Sequence, residues 1–357
     1  RGGLELLDSA GENIGYVVRT LPEASNVIGY SGPTDSLLVF DENDEVVGLS
    51  IRRSYDTPSH VEDVQIDYLF MKTFNGKSWE EISAIEDLRE AKIWAVSGAS
   101  RTSEAVANGV ITRLAAADGR EVKRAFQFGW RDALLLCFWG GGCAFAFVRS
   151  KRLQKWRGLF FILTIGGVGI WLGDLIAQSL VIGWIETRIP WEATPGLVVL
   201  VLGAFVVPWF SRQPVYCQFV CPHGNLQRLI VKWTPSKWKR SLNDDGKWVA
   251  RFAPPMLLAV VLIVSFKQLD FDLAGIEPFD AYLLTSAGTA TIVIAVVGLL
   301  LSFVFPMAYC RFGCPTGWLL EFIRRRGGKD RFSWRDAVGC GLLLLALTLH
   351  QWPIVAA

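Results

Sequence analysis

The chain has 357 residues, of which 51% are hydrophobic and 20% charged, and it contains 15 tryptophans. This composition excludes a disordered chain and is too apolar for an ordinary soluble domain, so we expect a membrane protein. The formal net charge of +2 excludes a nucleic-acid-binding protein, since the basic residues lie beside apolar segments, where membrane topology explains them.

The apolar runs divide the chain into two predicted domains. No run of membrane-spanning length occurs in the first 125 or so residues, whereas the remainder is built from such runs. We therefore predict an extracytoplasmic α+β domain over residues 1–120 and an all-α polytopic membrane domain over residues 121–357.

The N-terminal domain shows strand patterns followed by helical patterns. Apolar and polar residues alternate in three segments, which predicts an antiparallel sheet with a turn at 41–44. The predicted strands are 15–20, 36–40 and 46–52. Helices are predicted around 79–85 and 104–114.

Small and hydroxyl-bearing residues lie between these two predicted helices. Their sequence is Ser97-Gly98-Ala99-Ser100-Arg101-Thr102-Ser103. One interpretation is a turn in which Thr102 or Ser103 caps the next helix. The other is a phosphate site, because a helix N-terminus offers unpaired N–H groups and the positive end of the helix dipole, and Gly98 and Ala99 let a bulky ligand approach the backbone.

The SGASRT segment resembles the motif [ST]GA[ST]x[ST] of an exported flavin-binding domain. That domain is shared by membrane subunits of the sodium-pumping quinone reductase, the Rnf complex and the nitrous-oxide-reduction protein NosR. The resemblance implies FMN attached as a phosphoester by a dedicated flavin transferase, with Thr102 as the acceptor and Ser100 as the alternative. Ser97, Gly98 and Ala99 then belong to the cofactor site.

Two further segments resemble this flavin-binding family. Gly29-Tyr30-Ser31-Gly32 is similar to a strand, and Asp56-Thr57-Pro58 is similar to a loop, that lie against the flavin ring. The resemblance makes Thr57 a cofactor-binding candidate, although Ser59 stands where the family has Gly. His60, next to this loop, is expected on the surface.

Six apolar runs are candidate membrane spans, because each is close to the ~20 residues that a bilayer core requires. They are 126–148, 158–180, 194–210, 252–267, 287–309 and 335–353. Lys and Arg cluster after the first, third and fifth, which predicts cytoplasmic loops there, an inner-membrane location and an N-terminal domain on the periplasmic side. Four polar residues at the span ends are expected to make interhelical bonds rather than a transport pathway. They are Arg131, Asp132, Asp174 and Gln178.

The third and fifth runs are each followed by a copy of one cysteine motif. The copies, YCQFVCPHGNL from Tyr216 and YCRFGCPTGWL from Tyr309, are identical at seven of eleven positions. This duplication predicts an internal repeat whose equivalent ends face the same side, so that four cysteines meet near a pseudo-twofold axis. They are Cys217, Cys221, Cys310 and Cys314. The spacing predicts both cysteines of a copy on one helical face.

The four cysteines allow several interpretations. Two thiol pairs or two disulfides are one, but the basic flanks place the cysteines on the reducing cytoplasmic side, where stable disulfides are rare. Four thiolates suit zinc or an iron-sulfur cluster, and spacing alone does not distinguish them. The other cysteines, Cys137, Cys143 and Cys340, lie in apolar spans and are expected to be small core residues.

The paired CxxxCP motifs resemble those of the NosR and NapH membrane ferredoxin-like family, which are assigned to iron-sulfur or redox-metal centres. The resemblance implies an iron-sulfur cluster on the four cysteines. NosR-type proteins also carry a ferredoxin domain after the membrane part, so we expect those clusters on a separate subunit or beyond Ala357.

Together, these resemblances imply a NosR-like electron-transfer subunit of a membrane oxidoreductase complex. It would connect a cytoplasmic or quinone donor with an extracytoplasmic acceptor, with other subunits and a ferredoxin or quinone as partners. The ~30 Å of hydrocarbon between the two faces predicts a midway cofactor or subunit, or a cluster sunk into the membrane. The alternatives are a redox-sensing regulator or maturation factor for a partner reductase, and a structural zinc membrane protein.

Overall fold

The computed structural model describes residues 3–120, 126, 128–186, 189–267, 273–283 and 287–326. Its N-terminal region contains a four-stranded antiparallel sheet in the order β1-β2-β3-β4. The strands are β1 (Leu4–Leu7), β2 (Asn13–Arg19), β3 (Thr34–Phe40) and β4 (Val46–Ser54). The three predicted strands are confirmed as β2 to β4. Strand β1 was not predicted, because it has four residues and its apolar-polar alternation ends at Leu6.

Four helices accompany the sheet: α1 (Pro58–Ile66), α2 (Tyr68–Met71), α3 (Trp79–Ser83) and α4 (Ser100–Ala117). Helix α4 packs against β3, and its Val106 and Val110 are fully buried because they lie four residues apart on one face. Phe40 of β3 and Trp79 of α3 contact each other in the same core, with ring centroids 5.5 Å apart. Burial of these aromatic and branched side chains holds the sheet and α4 together.

Helix α4 begins one turn earlier than predicted. Its first residue is Ser100 and its N-cap is Ala99, so Thr102 lies inside the first helical turn and is not the cap. Gly98, just before the cap, has φ +87°, a left-handed conformation that favours glycine. The SGASRT segment is therefore a tight turn that runs directly into a helix N-terminus.

The remainder of the described chain is helical. Its helices are α5 (Trp130–Phe147), α6 (Lys151–Lys155), α7 (Arg157–Thr164), which continues as a π-helix (Ile165–Leu172), α8 (Gln178–Glu186), α9 (Pro195–Ser211), α10 (Pro222–Trp233), α11 (Asp244–Lys267), α12 (Thr289–Val304), α13 (Ala308–Phe312) and α14 (Pro315–Arg326). Among the described residues, the segment Asp244–Val264 of α11 is long and apolar enough to cross a membrane. Three other apolar helices, Arg157–Leu172, Pro195–Ser211 and Thr289–Val304, are shorter. The sixth predicted span, 335–353, lies outside the described residues.

The second predicted span is not one helix. Its first part ends at Gly173, which has φ +69°, and α8 starts at Gln178. The intervening residues 174–177 are buried but not helical. A buried peptide group outside a helix needs hydrogen-bond partners from elsewhere in the protein.

The internal repeat is visible in the order of the helices. In the first copy, α9 is followed by a π-helical turn (Tyr216–Val220) and α10, and in the second, α12 is followed by α13 and α14. Helix α10 packs against α12, and α14 packs against α9, so the last helix of each copy contacts the first helix of the other. These reciprocal contacts are expected when a pseudo-twofold axis relates the two copies.

The prediction that both cysteines of a copy share one helical face is wrong. Cys221 has an extended conformation, with φ −64° and ψ 116°, between the π-helical turn and α10. Cys314 lies between α13 and α14. The reason is the following proline in each copy, which disfavours a helical conformation for the residue before it.

Candidate cofactor sites

A cavity of about 400 Å³ lies between the N-terminal region and the helical region. This volume is in the range of small-molecule sites. All six residues of SGASRT line one side, and Tyr30 and His60 line it nearby. Helical-region residues close the other side. They are Trp130, Arg131, Ile170, Trp171, Leu172, Gly173, Asp174 and Leu283.

The hydroxyl groups at the start of α4 differ in their partners. The Thr102 hydroxyl donates to Oδ2 of Asp56 at 2.8 Å, and both side chains are buried. The Ser100 hydroxyl donates to the carbonyl oxygen of Val96 at 3.3 Å, and the Ser103 hydroxyl donates to the carbonyl oxygen of Ala99 at 3.0 Å. Thr102 is thus the member of this group that is paired with a carboxylate, the arrangement that activates a weak hydroxyl nucleophile.

Asp56 is held in place by backbone N–H groups. It accepts hydrogen bonds from the N–H groups of Tyr30, Ser31 and Thr57 at 2.9, 2.8 and 2.9 Å. The segment 29–32 is a loop before β3, and not the strand that the resemblance implies. A Cβ atom on Gly29 would overlap with the Asp56 carboxylate, so glycine is required for this close approach.

Thr57 lies at the N-cap of α1, where its side chain is buried. It is not among the residues that line the cavity, in contrast to Ser97, Gly98, Ala99 and Ser100.

Arg101 ties the SGASRT segment to the broken helix. Its Nε and Nη2 atoms lie 2.8 and 2.9 Å from the two carboxylate oxygens of Asp174. The exposed fractions of the two side chains are 14% and 2%. Burial lowers the pKa of Arg101, but the Asp174 carboxylate outweighs this effect and raises that pKa above its ordinary value. Asp174 therefore connects the two regions, which differs from the interhelical bond that we expected.

We expect Asp174→Asn to lower the free energy of unfolding by about 3 kcal/mol, because removal of one partner leaves the Arg101 charge buried and uncompensated. Denaturant unfolding of the detergent-solubilised protein measures this change. Arg324→Gln is the control, since its partner Glu321 is 34% exposed and surface pairs contribute about 1 kcal/mol or less. Equal losses in the two variants would contradict the structural role of the buried pair.

Two further cavity residues carry hydrogen-bonding atoms without a partner in the described part of the protein. They are Nε of Arg131 and Nε2 of His60, both buried. His60 is 4% exposed, so the prediction that it lies on the surface is wrong. The other end of the Arg131 guanidinium donates to the Leu172 carbonyl oxygen at 2.6 Å. A cation, a helix N-terminus and an unpaired imidazole nitrogen fit the phosphate and the polar ring atoms of FMN.

A second cavity, of about 890 Å³, is lined by the four motif cysteines, and so the structure brings both copies of the motif to one site. The second cysteine of each copy makes the same hydrogen bond. Sγ of Cys221 accepts from the N–H group of Gly224 at 3.5 Å, and Sγ of Cys314 accepts from the N–H group of Gly317 at 3.1 Å. Each of these sulfurs sits at a helix N-terminus, whose N–H donor and positive dipole end would stabilise the negative charge of a metal-bound thiolate.

The arrangement of these cysteines differs from that of a single-ion site. Among the described residues, no group of three or more His, Cys, Asp or Glu side chains converges closely enough to hold one metal ion. Tetrahedral zinc needs its sulfurs about 2.3 Å from one centre. Four cysteines that line one cavity match in number the thiolate ligands of an iron-sulfur cluster.

Cys137, Cys143 and His223 do not line the second cavity. Cys137 is exposed and Cys143 partly exposed on α5, so neither is the core residue that we predicted, and Cys340 lies outside the described residues. Nδ1 of His223 lies 3.1 Å from the Tyr282 hydroxyl. Thr316, at the equivalent position of the second copy, donates to Glu277 at 2.8 Å.

Basic side chains dominate the charged lining of the second cavity. Seven cationic residues line it, and Glu321 is the one acidic residue in the described lining. The cationic residues are Arg228, Arg240, Lys247, Arg251, Arg311, Arg324 and Arg325. They compensate negative charge on a thiolate-bound centre and attract anionic partners.

Comparison with known protein families agrees with both sites. A family model described as an FMN-binding domain matches residues 29–115. A family model described as a 4Fe-4S binding domain matches twice, at residues 193–241 and 287–333, once for each copy of the cysteine motif. The chain therefore has an N-terminal FMN-binding domain followed by a helical region with a 4Fe-4S binding domain, and its cofactors are FMN and an iron-sulfur cluster. These domains support a role in redox electron transfer.

The chain is also similar to an uncharacterized protein of Methanocaldococcus jannaschii. The two are 25% identical over 187 residues, which are 52% of this chain and 68% of the archaeal protein. No solved structure matches the chain significantly.

Proposed function

We propose that this chain is a NosR-like membrane protein that transfers electrons between a cytoplasmic or quinone donor and an extracytoplasmic acceptor. The observation that carries the proposal is that the SGASRT segment and the four cysteines line two cavities of one chain. When bound, FMN exchanges one or two electrons and the iron-sulfur cluster exchanges one.

The residues of the first cavity have separate proposed roles. Thr102 would carry the FMN phosphoester, which the flavin transferase forms by breaking a phosphate bond of its flavin donor, and Asp56 would accept the proton of the Thr102 hydroxyl, since the two are already hydrogen-bonded. Arg131 lines the same cavity and neutralises phosphate charge through its guanidinium. Arg101 is paired with Asp174 and instead keeps the FMN-binding domain against the helical region.

In the second cavity, the four cysteines hold the cluster. Cys221 and Cys314 occupy equivalent positions before α10 and α14, and Cys217 and Cys310 lie in the helical turns that precede them. The basic lining supports a position of this cavity on the side of the proposed cytoplasmic loops, according to the distribution of Lys and Arg in membrane proteins.

The membrane location is supported by apolar side chains on the outer surface of the helices. Phe210 at the end of α9, Ile263 of α11 and Leu300 of α12 are 80%, 57% and 60% exposed. Large exposed apolar side chains on several helices are unfavourable in water and are expected where lipid covers them. We propose that the FMN-binding domain lies on the periplasmic side, as the basic loops imply.

Inverted membrane vesicles test the proposal, because they expose the cytoplasmic face. With a flavin transferase coexpressed, addition of a reduced ferredoxin or a quinol should bleach the flavin absorbance at a catalytic rate. The Cys217→Ala, Cys310→Ala double variant should retain FMN but lose this reduction. Flavin reduction that survives without the cluster, or a chain that is released from washed vesicles, would contradict the proposal. Flavin that equilibrates with the donor over minutes would instead favour a redox-sensing regulator.

A further inference from the structure

The two cavities are connected through one peptide group of the broken helix. Tyr30 lines the FMN cavity, and its hydroxyl donates to the carbonyl oxygen of Leu175 at 2.6 Å. Tyr216 lines the cysteine cavity, and its hydroxyl accepts from the N–H group of Ile176 at 3.0 Å. This oxygen and this N–H group belong to the same peptide bond. A continuous series of two phenols and one peptide group therefore joins the cavities.

The series is buried and rigidly held. Tyr30, Leu175, Ile176 and Tyr216 all belong to the core of the helical region. Both hydrogen bonds have good geometry for their type. Burial raises the pKa of Tyr30 well above its ordinary value, so its hydroxyl remains a protonated donor. Tyr216 is bonded along the chain to Cys217, and so the series ends at a cysteine that lines the second cavity.

The break in the helix allows the 175–176 peptide to bond to side chains. In a continuous helix, the 175–176 peptide would form hydrogen bonds within the helix and could not bond to two side chains. The left-handed Gly173 ends the first part and leaves this peptide within reach of both tyrosines, and its carbonyl oxygen also accepts from the N–H group of Ala177 at 3.1 Å. The neighbouring Asp174 is bonded to Arg101 of the SGASRT segment, which fixes the break against the FMN-binding domain.

We propose that Tyr30, the 175–176 peptide and Tyr216 form the bridge along which electrons pass between the FMN cavity and the cysteine cavity. This inference rests on the proposed electron-transfer function. One electron leaves the reduced cofactor and one is gained by the oxidised cofactor, and neither tyrosine changes its oxidation state. The tyrosines are positioning residues that provide a bonded path where a gap would otherwise separate the sites.

The second copy of the cysteine motif provides a matched comparison. Tyr309 occupies the position of Tyr216, precedes Cys310 and is also buried. Its hydroxyl has no hydrogen-bond partner in the described part of the protein. The repeat therefore places equivalent tyrosines beside equivalent cysteines, but only the first is bonded to the peptide that reaches the FMN cavity.

The test compares Tyr30→Phe, Tyr216→Phe, their combination and the control Tyr309→Phe in the full chain loaded with both cofactors. The flavin is reduced by a light pulse in the presence of a sacrificial electron donor, and the rate at which the cluster becomes reduced is measured. We expect a several-fold fall in rate for each bridge variant, a larger fall for the combination, and the parental rate for Tyr309→Phe. FMN content, iron content and both reduction potentials are measured in every variant, so that rates are compared at equal cofactor loading and equal driving force.

A second readout uses the protein without cofactors. The thermal unfolding midpoints of the two bridge variants should not be additive in the double variant, because both hydroxyls bond one peptide group. A parental transfer rate in Tyr30→Phe and Tyr216→Phe would overturn the bridge while leaving the proposed function intact. An equal fall in Tyr309→Phe would overturn it as well. If the parent itself shows no transfer, the proposed function fails and the bridge fails with it.

Discussion

Thr102→Ala is expected to abolish covalent flavin binding. Coexpressed with a flavin transferase and then denatured, the parent should give a fluorescent band in a gel under ultraviolet light, and this variant should give none. The physical reason is that Thr102 lines the cavity and its hydroxyl donates to the Asp56 carboxylate at 2.8 Å. A hydroxyl in contact with a base is a far better nucleophile than one that is bonded to a carbonyl oxygen.

Ser100→Ala is the matched control, because Ser100 lies in the same helical turn but donates to the Val96 carbonyl oxygen. This variant should retain parental fluorescence. Asp56→Asn should slow flavin attachment about a hundredfold, the lower range for loss of a general base. Fluorescence that persists in Thr102→Ala, or that is lost only in Ser100→Ala, would show that the acceptor is a different hydroxyl.

The parts of the fold that the sequence predicts are those with a local signal. Strands β2 to β4 follow from alternation within each segment, and the repeat follows from two copies of one motif. The break at 173–177 cannot be predicted from a local signal, because it lies within a predominantly apolar run. It is stabilised by contacts with Arg101, Tyr30 and Tyr216, which are remote in the sequence.

The candidate sites show the same distinction. The residue types of SGASRT and of the cysteine motif indicate phosphate and metal chemistry without knowledge of the fold. Asp56 is 46 residues from Thr102, and although the resemblance assigns both segments to the flavin site, it does not predict the hydrogen bond between these two side chains. The bridge between the cavities is likewise not predicted by the sequence. Bilayer thickness led us to expect a midway cofactor or subunit, or a sunken cluster, because the sequence does not show how closely the two sites approach.

The Cys217→Ala, Cys310→Ala double variant is expected to lose its iron. Each copy of the motif contributes two cysteines to the second cavity, so the double variant leaves one thiolate from each copy, Cys221 and Cys314. Two thiolates are half of the four that such clusters require. Iron and acid-labile sulfide per chain, measured on anaerobically purified protein, should fall to background, while covalent FMN should remain at the parental level.

Cys137→Ala, Cys143→Ala is the matched control, because it also removes two cysteines but from α5, and neither lines the second cavity. This variant should keep parental iron, which separates a ligand effect from a general effect of thiol loss. Retained FMN in the iron-free variant would further show that the FMN-binding domain folds without the cluster. Parental iron in the Cys217→Ala, Cys310→Ala variant would refute the assignment of the cluster to these four cysteines. If the unmodified protein contains zinc instead of iron, the redox function itself is refuted, since zinc carries no electrons.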